Sequence, residues 1–541
     1  MTRDDILVRA RAQQASAAES GAAMRPLRVI LEFEQARNPE EIRSAIRTRL
    51  GIETSVTSLF ASVDGAPADP VLEGFFAVML PNVRLAGVDG HAFELAYAIA
   101  DATGAKTSEP ELGTDFYSPP DPGLEGAIEV PGCWVPEADD IATKRPRWAV
   151  DKIKARTAWD LPPAPGGKSR GQGVFIFQPD TGVANHVELE SGMLDFARAY
   201  DFVADRPGAT DPLNYEGNPG HGTGTASVAA SRTMGKVVGS APLATLVPLR
   251  AIERVVVFDH GRVAAAVEHA RRNGANVITM SLGGAWSSSL RAAIRRAIDD
   301  GIIVMAAAGN CVKTVVWPAR YEEVIAVSGI NEKNKPWRGS CYGEAVDISA
   351  PAEFVPRAKR NPGDGGGPNT VAGGQGTSFA VAITAGVAAL WVGHYGKTAI
   401  ENALQPGGTV QQLFVSLLQS TAWRPDGFDT SSYGAGIVDG EALLKAPLAS
   451  GSSVPATVEN EYRSVKSLVA ETAAPVEATA AIDYQRFVAE LSHIALAKHR
   501  ASLTGSLESA EAGSIPVPAS ESLRIAVARS GSATLEALVA Q

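Results

Sequence analysis

Gly373-Gly374-Gln375-Gly376-Thr377-Ser378-Phe379-Ala380 decides how the rest of this chain is read. Glycines lead into a Thr-Ser pair, and a run of apolar and small residues follows over 379–390. Ala380, Ala382, Ala385, Ala388 and Ala389 in that run are strong helix formers. The pattern predicts a tight turn that delivers a serine to a helix N-terminus. Glycine lets a second backbone come close, and the free N–H groups of a helix end favour negative charge beside the serine. A nucleophilic serine needs that setting because its attack creates an oxyanion. Alone, the turn reads better as a glycine-rich loop capped by serine. What decides between the two is whether the chain also supplies a base, an orienting acid and an oxyanion donor.

Working outward, residues 174–177, 246–249, 277–280, 302–308 and 324–327 are short, nearly continuous apolar runs. Helices are expected between them over 263–272 and 290–300. Such strands indicate a parallel sheet covered on both faces, with its site beyond the carboxyl ends of the strands. Three residues stand at such ends. Asp180 follows the first run in Gln178-Pro179-Asp180-Thr181-Gly182, where it would otherwise be a turn residue. His221 lies in Gly220-His221-Gly222-Thr223-Gly224, a glycine-flanked helix start. Asn310 closes Ala307-Ala308-Gly309-Asn310. Each has a plain structural reading alone. With Ser378 they form a constellation in the order Asp, His, Ser.

These motifs resemble those of the subtilisin-like serine peptidases, the subtilase family. Asp180-Thr181-Gly182, His221-Gly222-Thr223, Ser281-Leu282-Gly283-Gly284, Ala307-Ala308-Gly309-Asn310, the Ser378 turn and Tyr433-Gly434-Ala435-Gly436-Ile437-Val438 match family motifs in order over residues 148–445. The resemblance implies an α/β fold of the subtilisin-like, three-layer type with a mostly parallel central sheet. It implies a serine endopeptidase working through an acyl-enzyme. Ser378 would attack, His221 would move the proton, and Asp180 would fix the His tautomer. Asn310 and the Ser378 N–H would hold the oxyanion. Ser281, Leu282, Gly283 and Gly284 would bind substrate as an added strand. No cofactor and no metal are implied. The readings kept beside this one are a catalytically silent peptide-binding pseudopeptidase or regulatory scaffold, and an esterase or ligase using the same triad.

The chain departs from the family pattern in places. Phe379 and Ala382-Ile383 replace residues that pack the helix behind the serine. A calcium loop is not recognisable at Ser231-Arg232-Thr233-Met234-Gly235, so no calcium is expected there. Val316, in Thr314-Val315-Val316-Trp317-Pro318, stands where the family commonly has glycine in the first specificity pocket. That predicts a preference for a small or medium residue before the cut.

Outside the motifs, residues 1–25 read as a loose or helical arm. Residues 26–112 read as a small α+β domain of β-α-β-β-α-β order, ferredoxin-like. By family analogy it is an inhibitory and folding-assisting prodomain, the chain's own intramolecular partner. Residues 113–146 are a Pro-rich linker, 147–447 the peptidase domain, and 448–541 an extension with one amphipathic helix, Tyr484, Phe487, Leu491 and Ile494 marking its spacing. That helix could dock on the peptidase or on a partner.

Bulk properties narrow the classes. The formal net charge of −11 over 541 residues argues against a nucleic-acid partner. No apolar run is long enough to span a bilayer, so no membrane partner is expected. The short run Ile6-Leu7-Val8 is no signal-peptide core. Cys133, Cys311 and Cys341 form no disulfide framework or metal spacing. A cytoplasmic, reducing location is therefore expected, with protein or peptide as substrate.

Overall fold

The computed structural model describes residues 2–20, 26–61, 69–83, 90–112, 135, 145–189, 192–232, 236–257, 259–360, 367–452, 462–473, 482–504 and 518–540. An eight-stranded sheet organises them, in the order Ile348–Pro351, Ile325–Ile330, Ile303–Ala307, Val277–Met280, Phe175–Asp180, Thr245–Arg250, Tyr200–Asp201 and Arg206–Pro207. All its neighbours are parallel except the last pair.

Alternation along each strand fills both faces. Ile303, Met305 and Ala307 point into one core with the helix Thr377–Tyr395, while Val304 and Ala306 point into the other. That second core is completed by the helices His260–Arg272 and Ser288–Asp299. The helix Thr377–Tyr395 is apolar all round and buried along its length, as a central helix must be. By length and composition it would suffice to cross a membrane. The expectation that no run reaches that length fails because the helix runs past the 379–390 segment at both ends.

The N-terminal domain has the expected element order. Its strands pair as Ser55–Ser58, Phe75–Leu80, Leu27–Glu32 and Thr107–Glu111, every neighbour antiparallel. Val29 and Leu31 face its own helices, Pro39–Leu50 and His91–Thr103, whereas Ile30 faces the peptidase helices. The arm is the helix Arg3–Ser20, and it does have a buried face, through Ile6 and Ala10.

The C-terminal segment differs most from expectation. Besides the helix Tyr484–Thr504 it carries Arg463–Ala473, Glu521–Ser530 and Ala533–Val539. Leu491, Ile494, Leu523 and Leu535 are buried in the same core as Ile30 and the peptidase helices. One amphipathic stripe was visible in the sequence. The other helices are short, and their apolar faces become evident only from what they cover. Apart from Val135 and the last residues before Trp148, the proline-rich linker lies outside the described residues.

Candidate active site

Asp180 ends its strand with its side chain 1% exposed. Its Oδ1 accepts the Thr181 N–H at 2.7 Å and lies 2.8 Å from His221 Nδ1. Its Oδ2 accepts Thr225 Oγ1 at 3.2 Å and Gln178 Nε2 at 3.4 Å. A carboxylate at Nδ1 assigns the imidazole proton there and leaves Nε2 as the lone-pair nitrogen. His221 is the first residue of the helix His221–Ala230, so its ring is aimed by a helix start. Gly222 lets that start press against the Asp180 turn, since a Cβ there would lie 2.2 Å from the Gly182 carbonyl oxygen.

Gln178 was not anticipated. Its Nε2 also donates to the Gly222 carbonyl at 2.9 Å and to Thr225 Oγ1 at 2.8 Å, tying the acid's strand to the imidazole's helix. The signal for it was available: a lone amide in an apolar strand, two residues before Asp180 and on its face.

Ser378 is the second residue of its helix, after Gly376 with φ 136°. Its Oγ donates to the Ser281 carbonyl at 3.4 Å, and Ser281 Oγ donates to the Ser378 carbonyl at 3.0 Å. In this resting geometry the hydroxyl is therefore not bonded to His221. Catalytic hydrogen bonds commonly tighten only when substrate is present. Asn310 Oδ1 accepts the Thr377 N–H and the Thr377 hydroxyl, both at 2.9 Å. Those two donors fix the orientation of the amide. Thr377 therefore orients the amide, a role the sequence reading did not assign.

Asp180–His221 form one bonded group, and Ser281–Ser378 and Thr377–Asn310, joined through the Thr377–Ser378 peptide, form another. The strands that carry them, Phe175–Asp180 and Val277–Met280, are hydrogen-bonded neighbours. Both groups stand at the carboxyl edge of the parallel sheet.

The substrate-lining stretch departs from its simple reading. Gly283–Gly284 pairs in parallel with Val256–Val257, and the Gly283 N–H donates to the Val255 carbonyl at 2.9 Å. Gly284 exchanges backbone bonds with Trp317 at 2.7 and 3.2 Å. An added strand would find Gly283 and Gly284 engaged, because glycine lets Val257 approach to where a Cβ would be 1.7 Å from its oxygen. Leu282 is buried at 3% exposure. Val316 wedges between Gly283 and Gly309: its Cγ2 lies 2.4 Å from a Cβ built on Gly283 and 2.9 Å from one built on Gly309.

Cys311 is disulfide-bonded, and Cys341 is a free, buried thiol whose pKa burial pushes up to about 11. The two do not pair with each other, and Cys341 is no reactive thiolate. Among the described residues no cluster of His, Cys, Asp or Glu could hold a metal ion. Residues 233–235 of the calcium-loop position lie outside the described residues.

A parallel α/β sheet with an acid-held imidazole and an amide-flanked serine at its carboxyl edge is an arrangement compatible with a serine hydrolase. The sequence model of the subtilase family matches residues 171–436. Thermitase of Thermoactinomyces vulgaris is 33% identical over 249 residues, covering 45% of this chain and 81% of that protein. Subtilisin Savinase of Lederbergia lenta is 30% identical over 301 residues, covering 55% of this chain and 98% of that protein. The chain belongs to the subtilase family, and it is a serine peptidase. The crystal structure of fervidolysin from Fervidobacterium pennivorans, a keratinolytic enzyme related to subtilisin, shares the fold with TM-score 0.54 at 21% identity, covering 79% of this chain and 62% of that one.

The expected cytoplasmic location does not stand. A relative from Xanthomonas campestris, 29% identical over 345 residues and covering 56% of both proteins, is named an extracellular protease. The disulfide at Cys311 agrees with that finding, since such bonds persist in oxidising surroundings. The cysteine reading failed because a single bridge leaves no spacing pattern.

Proposed function

We propose that this protein is a serine endopeptidase of the oxidising, extracytoplasmic kind, using Asp180, His221 and Ser378 with Asn310 as oxyanion donor. The observation that carries the reading is the 2.8 Å contact of His221 Nδ1 with the buried Asp180 carboxylate. It leaves Nε2 unprotonated, ready to take the Ser378 proton as Oγ attacks the scissile carbonyl. The imidazolium so formed is stabilised by Asp180 and returns the proton to the leaving amine. Water then repeats the cycle on the acyl-enzyme. The Asn310 NH2 and the Ser378 N–H at the helix end stabilise the oxyanion; one such donor contributes about 3–4 kcal/mol. Val316 shortens the pocket and favours small or medium residues before the cut.

We infer further that residues 26–112 restrain the enzyme. Two carboxylates on one face of the strand Thr107–Glu111 cap two peptidase helices. Glu111 accepts the Gly261 N–H at 2.6 Å, and Glu109 accepts the Ser288 N–H at 2.6 Å. Each carboxyl satisfies a backbone N–H that a helix start leaves without an intrahelical partner. Downstream, the Val135 N–H donates to Gln375 Oε1 at 3.0 Å and its carbonyl accepts Gln375 Nε2 at 2.8 Å, three residues before Ser378. The chain after the domain therefore passes the nucleophile turn. Incubating wild type and Ser378→Ala and mapping their N-termini tests both parts. The expected result is cleavage between residues 105 and 147 in wild type alone. A wild type that hydrolyses peptides while uncut there would refute self-processing.

A further inference from the structure

The face behind the specificity pocket is covered by the C-terminal segment, through one guanidinium. Arg320 is 4% exposed, and all five of its N–H donors are used. Nη1 donates to Thr314 Oγ1 at 2.7 Å and to the Val315 carbonyl at 3.2 Å. Nε donates to the Ser464 carbonyl at 3.0 Å, and Nη2 to Ser467 Oγ at 2.9 Å and to the Glu471 carboxylate. Glu471 Oε2 also accepts Thr314 Oγ1 directly at 2.9 Å. Thr314 and Val315 immediately precede Val316, the residue wedged between Gly283 and Gly309. One side of Arg320 therefore grips the pocket wall, and the other side grips the helix Arg463–Ala473.

We propose that this C-terminal helix is a working part of the peptidase, with Glu471 as the positioning residue that fixes the pocket wall through Arg320. The inference rests on the peptidase reading above. A helix that merely covered apolar surface would need no such set of bonds. Without Glu471, Ser464 and Ser467, Arg320 would keep a buried charge with most of its donors unpaired, a strongly unfavourable state. The guanidinium would turn outward and release Thr314 and Val315. Burial works against ionisation of Glu471, yet Arg320 and the hydroxyl donors hold its carboxyl below the ordinary value, so the pair is charged at neutral pH. The prediction is specific: the helix acts on side-chain recognition, while Ser378, His221 and Asn310 keep their geometry.

Glu471→Ala and Glu471→Gln in the full chain, incubated so that any self-processing is complete, provide the test. Peptides differing only in the residue before the cut report KM and kcat. A small fluorophosphonate reports the reactivity of Ser378 without filling the pocket. In Glu471→Ala, KM for small and medium residues should rise about tenfold, with kcat and labelling within about twofold, and discrimination among side chains should flatten. Glu471→Gln, which keeps an acceptor, should recover part of the loss. Unchanged KM and selectivity would overturn the proposal, and so would a parallel fall in labelling and cleavage. If Glu471→Ala does not fold, Ser467→Ala should raise KM in the same direction by a smaller factor, and an unchanged KM there would overturn it too. A wild type that neither labels nor cleaves would sink the peptidase reading first and this inference with it.

Discussion

The candidate catalytic crevice and the seam between the two terminal segments are both made of buried polar groups, yet they are built on different principles. In the crevice, each group is placed by its own stretch of backbone. Asp180 ends a strand, His221 starts a helix, Asn310 follows a strand, and Ser378 follows a glycine turn. In the seam, each carboxylate also has a partner from the opposite terminal segment, 393 residues away for Glu490 and Tyr97 and 428 for Glu94 and Ser522. Glu490 accepts Tyr97 Oη at 2.9 Å, the Ser520 N–H at 2.5 Å and Ser520 Oγ at 2.9 Å. Glu94 accepts Arg3 Nε, the Ser522 N–H and Ser522 Oγ, all at 2.8 Å. Phe93 and His493 meet edge to face at 5.3 Å. Chemistry demands a fixed local geometry and so leaves motifs. Docking demands only complementarity once both sides are folded, so it leaves composition.

If that contrast is right, substitutions in the crevice should cost turnover without stability, and those in the seam the reverse. The largest effect is expected from Ser378→Ala or Asp180→Asn. Each should lower kcat by about 10⁴-fold or more, with a melting temperature close to wild type. Peptide turnover and calorimetry on the same preparation read the split. Asn310→Ala should cost about 10²–10³-fold in kcat with little change in KM, because the lost bond forms only in the transition state.

Glu490→Gln should act on stability instead. Burial pushes this carboxyl up to about 7 from an ordinary value of 4.5. The folded state therefore binds the proton more tightly than the unfolded chain. This contribution is complete below about pH 4.5 and is lost as pH rises through about 7. Glu109, also pushed up to about 7 by burial, has the same sign. Wild type should lose stability between pH 5 and 7, and Glu490→Gln should flatten that slope by up to about 3 kcal/mol in urea titrations. An equal fall in peptide turnover in this variant would break the contrast. The smallest effect belongs to Val316→Gly, which should shift preference toward larger side chains by about tenfold in kcat/KM across a peptide library.

The same contrast explains what the sequence disclosed. The parallel strands, the central helix and the Asp180, His221, Asn310 and Ser378 positions were legible because each is a short pattern with a local physical cause. The β-α-β-β-α-β domain was legible from alternation at residues such as Val29 and Leu31. Gln178 and Thr377 were overlooked because they act only by orienting another group. Short strands such as Tyr200–Asp201 have too few residues to show a period. The helix Arg463–Ala473 packs on the helices Tyr484–Thr504 and Ala533–Val539 and bonds Arg320, and Glu521–Ser530 packs on the His91–Thr103 helix, pairings that no local pattern announces. The location failed for a related reason: a single disulfide leaves no local pattern.

Treatment with a fluorophosphonate followed by peptide mapping addresses the central claim most directly. The account predicts a single adduct, on Ser378, that is lost in His221→Ala while that variant stays folded. An unlabelled folded protein, or an adduct on another serine such as Ser281, would contradict it.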